Sequence, residues 1–187
     1  MVERLFELLH PSNIADDEKS YSIYGIFDGV KYPMLWSDLE ESVVTYDMLF
    51  REEDLRIEME EVAPFLVELD FESKAGIEKT KELLECYGKG GCIFMASYLD
   101  FSSILEAMRE LFYVYTPEGE KGYMRFYDPK IFSKYIAQRD FNITYALFSD
   151  VNCYWCEDSE DTHKLRQYIK ESTYGFVEEI FILREKV

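Results

Sequence analysis

Apolar and polar residues change their spacing several times along the chain, and each change predicts an element. From Val2 to Leu9, Leu5, Phe6 and Leu9 recur at helical spacing, and Pro11 ends the run. Tyr21–Phe27 predicts a strand, Asp28-Gly29 a turn, and a short helix follows around Pro33 to Leu39. Val43–Phe50 is a second strand candidate, whereas Glu52–Glu61 holds six carboxylates against one arginine and reads as a solvated turn or helix. Phe65–Leu69 predicts a strand and Ser73–Tyr87 a helix carrying Ile77, Leu83, Leu84 and Tyr87. Cys92–Ala96 is an apolar strand expected at the centre of the sheet. The strongest helix is Asp100–Leu111, with Ile104, Leu105, Met108, Leu111 and Phe112 on one stripe.

Lys121–Phe132 reads as a strand feeding directly into a helix. Tyr123, Arg125 and Tyr127 alternate with Met124 and Phe126, the period of a strand with two different faces. Asp128 then offers a carboxylate to the free N–H groups of a helix, and Pro129 suits its first position. Ile131, Phe132, Tyr135 and Ile136 continue that helix, while Phe112–Thr116 and the Pro117-Glu118-Gly119 turn complete a hairpin before it. Further on, Ile143–Phe148 predicts a helix and Val151–Cys156 a strand. Ser159–Ser172 reads as a helix with Leu165, Tyr168 and Ile169 inward, ended by Gly175, and Phe176–Leu183 as a last strand. The expected class is α+β (mixed α/β): one layered domain over residues 1–187, a mixed sheet containing an antiparallel hairpin, and helices packed on the sheet.

Composition narrows what such a domain does. A chain of 187 residues buries about 70% of its unfolded surface, and a content of 48% apolar residues supplies the core. The net charge of −18 repels a phosphate backbone, so no nucleic-acid partner is expected; it keeps the protein soluble and suits a basic protein partner. Met1–His10 carries Glu3 and Glu7 and lacks the apolar run of a signal peptide, and no stretch reaches the ~20 apolar residues of a membrane span. A cytoplasmic location is the expectation. Four cysteines in a chain of this length are not a disulfide framework.

Candidate chemistry is sparse. Asp28, Asp70, Asp100 and Asp128 each follow a predicted strand, where carboxylates can converge on a divalent cation for phosphoryl transfer. The competing reading makes each a local cap or turn residue. Gly88-Lys89-Gly90-Gly91 lacks the Lys-Ser/Thr ending of a phosphate loop and precedes a strand, so it is a turn. Cys153-Tyr154-Trp155-Cys156 is a lone C-x-x-C in a strand, where positions i and i+3 face opposite ways, and reads as ordinary half-buried thiols. His10 and His163 fall on polar stripes and are expected to face solvent. No cofactor, metal or catalytic residue is expected. With 15 Tyr, 14 Phe and 2 Trp, the chain has rings for both a core and an interface. Tyr154 and Trp155, beside the acidic Glu157, Asp158, Glu160 and Asp161, form the most interface-like segment. Alternation allows only one of the two rings to reach a partner.

Three short words occur in order: Phe27-Asp28-Gly29 after a strand, Ala63-Pro64-Phe65-Leu66-Val67-Glu68-Leu69, and Arg125-Phe126-Tyr127-Asp128-Pro129. Together with a Gly-rich turn before Ile93-Phe94-Met95 and a strand ending in acidic residues at Val151–Asp158, they resemble the effector adaptor (chaperone) domain family of the bacterial type VI secretion system. The resemblance covers roughly residues 21–170. Val30 stands where that family usually has Ala, Phe65 where Tyr is common, and Lys130 where Arg is common; the chain ends soon after, which implies a reduced C-terminal lobe. The resemblance implies a non-enzymatic, cytoplasmic bacterial adaptor that binds a toxic effector and a type VI spike protein and assists effector loading. The alternatives are a metal-dependent hydrolase or nuclease using the strand-end aspartates, and an acidic immunity protein.

Overall fold

The computed structural model describes residues 1–14, 20–51, 54, 60–172 and 175–183. Its centre is a seven-stranded sheet ordered β2-β3-β1-β4-β7-β8-β9, built from β1 (Ser22–Asp28), β2 (Tyr46–Met48), β3 (Pro64–Leu69), β4 (Cys92–Ser97), β7 (Cys153–Glu157), β8 (Lys164–Ser172) and β9 (Gly175–Ile182). The hairpin β5 (Tyr113–Tyr115) and β6 (Lys121–Tyr123) forms a separate two-stranded sheet. Each described strand pair is antiparallel, so the class is α+β and the sheet antiparallel rather than mixed. β3 and β4 both pair with β1, one on each side, and are joined by a helix, α3 (Lys74–Leu84).

The registers sort side chains onto two faces. Tyr24, Ile26, Ile93, Met95, Tyr154, Cys156 and Tyr168 share one, and Ile23, Phe27, Phe94, Cys153 and Trp155 share the other. Helices α4 (Phe101–Phe112), α5 (Pro129–Ala137) and α6 (Phe141–Phe148) cover the first face. Phe101 meets Tyr24, Phe132 meets Tyr154 and Tyr168, and Phe148 meets Tyr154. On the other side α3 packs on β3 and on α1 (Val2–Leu9), and Tyr32, just before α2 (Leu35–Glu40), donates to the Cys86 carbonyl beyond α3. All six β4 residues are buried, as expected of a strand covered on both faces. The buried apolar residues form one contiguous cluster.

Local chemistry starts the helices where polar side chains precede apolar stripes. Ser73 accepts from Gly76 N, Asp100 from Ser103 N, Asp128 from Lys130 N, and Asp140 from Asn142 N. Two expectations fail. Ser159–Ser172 is a turn followed by strand β8, because pairing with β7 and β9 satisfies its backbone while Leu165 and Tyr168 bury on opposite faces. The second concerns the strand expected through Tyr127. It ends at Tyr123, after which Arg125 turns toward the main sheet and both Phe126 and Tyr127 bury. Strand Val43–Phe50 shortens to β2, and most of Glu52–Glu61 lies outside the described residues. Among the described residues no helix is long and apolar enough to cross a membrane.

Candidate functional site

One end of the sheet gathers residues that are far apart in sequence. β1 ends at Asp28, which is 1% exposed. Its Oδ1 accepts from Val30 N at 3.1 Å, closing a tight turn, and its backbone N–H donates to the Gly91 carbonyl at 2.8 Å. Gly29 donates to the Ala63 carbonyl at 2.9 Å. A Cβ on Gly29 would lie 2.5 Å from that oxygen and 2.9 Å from the Val62 carbonyl carbon, so the approach of the two backbones requires glycine. Ala63 is fully buried, and Pro64 opens β3 directly opposite Asp28.

Arg125 reaches this point from the segment between β6 and α5. Its guanidinium pairs with the second oxygen of Asp28 and lies 5.9 Å from the centre of the Tyr127 ring. Burial works against its charge, but Asp28 and Tyr127 outweigh burial and raise its pKa above the ordinary arginine value. Tyr127 is buried, and its phenol is pushed up to about 12, first by burial and then by the Asp28 charge. Phe126 is fully buried. Asp128 and Pro129 begin α5, with Asp128 Oδ1 accepting from Lys130 N at 2.9 Å and Ile131 N at 3.4 Å. The motif residues Asp28, Gly29, Ala63, Pro64, Arg125, Phe126, Tyr127, Asp128 and Pro129 thus hold three segments of chain together.

The glycine turn after α3 stands beside them. Gly88 and Gly90 have φ of +87° and +74°, and their N–H groups donate to Glu157 Oε2 at 2.8 and 3.3 Å. The turn therefore does hold an anion, but an internal carboxylate from the end of β7. Burial raises the pKa of Glu157, and the two N–H groups oppose that rise. A carboxylate facing a glycine-rich turn from another strand was not recognisable from local spacing; the only signal was the turn itself.

Antiparallel pairing divides the four aspartates between the two ends of the sheet, with Asp28 and Asp128 both beside Tyr127 at one end. Asp28 lies opposite Pro64, whereas Ile23 pairs with Leu69 and Ser22 with Ser97, so Asp70 and Asp100 follow their strands at the other end of the sheet. Carboxylates after successive strands converge only when the strands are parallel. Asp70 accepts from Glu72 N, Ser73 N and Ser73 Oγ, which lower its pKa, and Asp100 caps α4. Among the described residues no three His, Cys, Asp or Glu side chains are grouped to hold a metal ion. The cysteines are free, and Cys92, Cys153 and Cys156 are fully buried rather than half-buried, with burial pushing each thiol up.

The expected interface segment turns inward. Tyr154 is 0% and Trp155 1% exposed, because β7 is an interior strand with both faces covered and alternation sends each ring into a different part of the core. Glu157 and Asp158 are also buried. Asp158 Oδ2 accepts from Arg166 Nε at 2.6 Å, and its Oδ1 accepts from Glu160 N and Asp161 N. Glu160 is exposed, and Asp161 sits 3.4 Å from His163 and 3.6 Å from Lys164. Both histidines are partly buried rather than fully solvent-facing, His10 against the Phe71 ring and His163 in the turn before β8. Among the described residues, large rings at the surface are Tyr98, Tyr115, Tyr123, Phe141 and Tyr145, none of which the patterning distinguished from core.

A scan against protein-family models matches residues 23–141 to the domain of unknown function DUF4123. Neither a search of curated proteins nor one of solved structures finds a match. The matched span contains the three motif words that meet around Asp28 and Arg125, and stops before β7. Because it covers more than half of the sequence, the chain belongs to the DUF4123 family.

Proposed function

We propose that this chain is a non-enzymatic adaptor that binds a type VI secretion effector in the bacterial cytoplasm and assists its loading onto the spike. Family membership supports the reading, since DUF4123 is associated with type VI effector adaptors. The observation that carries it is the convergence of the three motif words at one end of the sheet. Their polar groups engage one another: Asp28 with Arg125 and Val30 N, Gly29 with Ala63, and Asp128 with the start of α5. Such residues maintain the shape of a surface rather than present a reacting atom, which suits binding. A metal-dependent hydrolase would need the strand-end aspartates together, and the antiparallel sheet sets Asp70 and Asp100 at the end opposite Asp28.

Co-expression with the effector and spike proteins encoded beside it is the test. The adaptor should capture an effector or a spike tip at low and moderate salt. Its charge of −18 suits a basic client, so raising salt should slow association more than it speeds release. A folded parent protein that captures neither partner would overturn the assignment.

A further inference from the structure

β9 closes one side of the sheet, and among the described residues no strand pairs with its outer edge. The phase of its ladder follows from two hydrogen bonds. Leu183 N donates to the His163 carbonyl, and Lys170 N donates to the carbonyl of Asn152, just before β7, each at 2.8 Å. Odd-numbered residues of β8 therefore bond toward β9 and even-numbered ones toward β7. In the register Leu165–Phe181, Gln167–Glu179 and Ile169–Val177, the odd-numbered residues of β9 are bonded inward. Glu178, Ile180 and Ile182 consequently direct their N–H and C=O groups away from the sheet.

The side chains along this edge are unusually apolar for an unpaired strand. Ile180 and Ile182 are 52% and 63% exposed on one face, and Val177 is 42% exposed on the other. Edge strands are commonly protected by lysine, proline or a bulge facing outward. From Gly175 to Ile182 there is no lysine and no proline; the charges are Glu178 and Glu179. Antiparallel pairing of two copies of β9 about its middle, in the only phase that its outward N–H groups allow, would set Glu178 or Glu179 opposite the same residue of the other copy. Like charges directly opposite are destabilising, and the net charge of −18 adds repulsion at longer range. A second copy is thus disfavoured, whereas a strand of opposite charge is attracted. Glu178 is already paired with Arg166, which leaves Glu179 as the acidic group facing an arriving strand.

We infer that the outer edge of β9 docks an extended segment of a partner protein in which apolar and basic residues alternate, adding it to the sheet as a further strand. Main-chain hydrogen bonds to Glu178, Ile180 and Ile182 supply the pairing. Apolar side chains cover Ile180 and Ile182 on one face, and basic ones meet Glu179 on the other. The identity of the partner as an effector or spike protein rests on the adaptor reading, whereas the mode of docking rests on β9 alone.

A synthetic nine-residue peptide of alternating lysine and valine tests the docking directly, with residue-resolved amide hydrogen exchange as the readout. The amides of Glu178, Ile180 and Ile182 should slow by about tenfold or more, while those of Val177, Glu179 and Phe181, already bonded to β8, change little. A glutamate–valine peptide should protect none of them. Ile180→Pro removes an outward N–H without taking a bond from β8, so it should abolish the protection and leave the fold intact. Should that variant unfold, Ile180→Lys keeps the backbone groups and still should weaken the peptide by charge and by loss of apolar contact. Unprotected amides at millimolar lysine–valine peptide, or undiminished binding by both Ile180 variants, overturn the proposal. Partner capture separates it from the adaptor reading. If the parent and Ile180→Pro capture an encoded partner equally, the adaptor reading stands and β9 is not its site. If the parent captures none while the peptide still protects the edge, the adaptor reading falls and the docking edge stands.

Discussion

Arg125 and Asp28 are 97 residues apart in sequence and form an ion pair in which the aspartate side chain is 1% exposed and the arginine side chain 42%. The asymmetry matters because a fully buried carboxylate needs its partner more than a partly exposed arginine side chain does. Arg125→Ala leaves Asp28 with Val30 N as a remaining donor and should cost about 2 kcal/mol in urea denaturation. Adding Asp28→Asn to that variant should recover part of the loss. Equal stability of Arg125→Ala and parent would show that the pair does not hold this end of the sheet together.

Gly29→Ala should be among the most damaging single-methyl changes in the chain. The new Cβ would meet backbone atoms of residues 61–63, which cannot rotate away as a side chain can. A loss of about 2–3 kcal/mol is expected, measured by thermal or urea unfolding. Gly119→Ala offers the control: its φ is +87° but nothing lies within 4 Å, so only the backbone strain, about 1 kcal/mol, remains.

Two neighbouring carboxylates should shape the pH profile in opposite senses. Burial pushes Asp158 up, but Glu160 N, Arg166 and Asp161 N outweigh it and hold its pKa below the ordinary value. The folded state then binds fewer protons than the unfolded one. That stability is present above the ordinary carboxylate pKa of about 4 and is lost as pH falls through the lowered folded value. Glu157 has its pKa raised by burial, so stability declines instead as pH rises from the ordinary value through the raised one. Urea unfolding from about pH 3 to pH 8 should show Asp158→Asn flattening the acid limb and Glu157→Gln removing the decline above it. Reversed effects of the two variants would contradict these environments.

Thiol reactivity should follow burial. Cys86 is partly buried, with burial pushing its pKa up to about 11, and the other three thiols are fully buried. In the folded protein an aromatic disulfide reagent should label Cys86 slowly and the rest only on unfolding. All four should react at once in denaturant. Rapid labelling of Cys153 or Cys156 under native conditions would place β7 at the surface. Serine at either position puts a hydroxyl into the core and should cost about 1–2 kcal/mol.

Trp155→Ala should destabilise by about 3–5 kcal/mol, as for other fully buried large rings, with the loss visible in chemical denaturation. Trp36 is only partly buried, so acrylamide should quench its fluorescence while Trp155 stays protected. A stable, folded Trp155→Ala variant that binds its partner less well would instead make Trp155 a surface anchor.

Local signals in the sequence determined what local physics controls. Asp100, Asp128 and Ser73 mark helix starts because their side chains reach N–H groups only two or three residues ahead, and each does so. Phe65–Leu69 and Cys92–Ala96 read as strands because interior strands are apolar on both faces. The same continuity concealed the fate of Tyr154 and Trp155, since alternation places two rings on opposite faces without saying whether either face is open. Leu165, Tyr168 and Ile169 fit a helix as well as a strand over so short a window, and only pairing with β7 and β9 resolved the choice. The sign of strand pairing, set by how the chain returns across the sheet, decided that Asp28 and Asp100 stand at opposite ends. Asp28 with Arg125, and Glu157 with the Gly88 turn, depend on chain segments separated by 97 and 69 residues. Such contacts form because a buried charge needs a partner, and which partner arrives is a property of the tertiary fold alone.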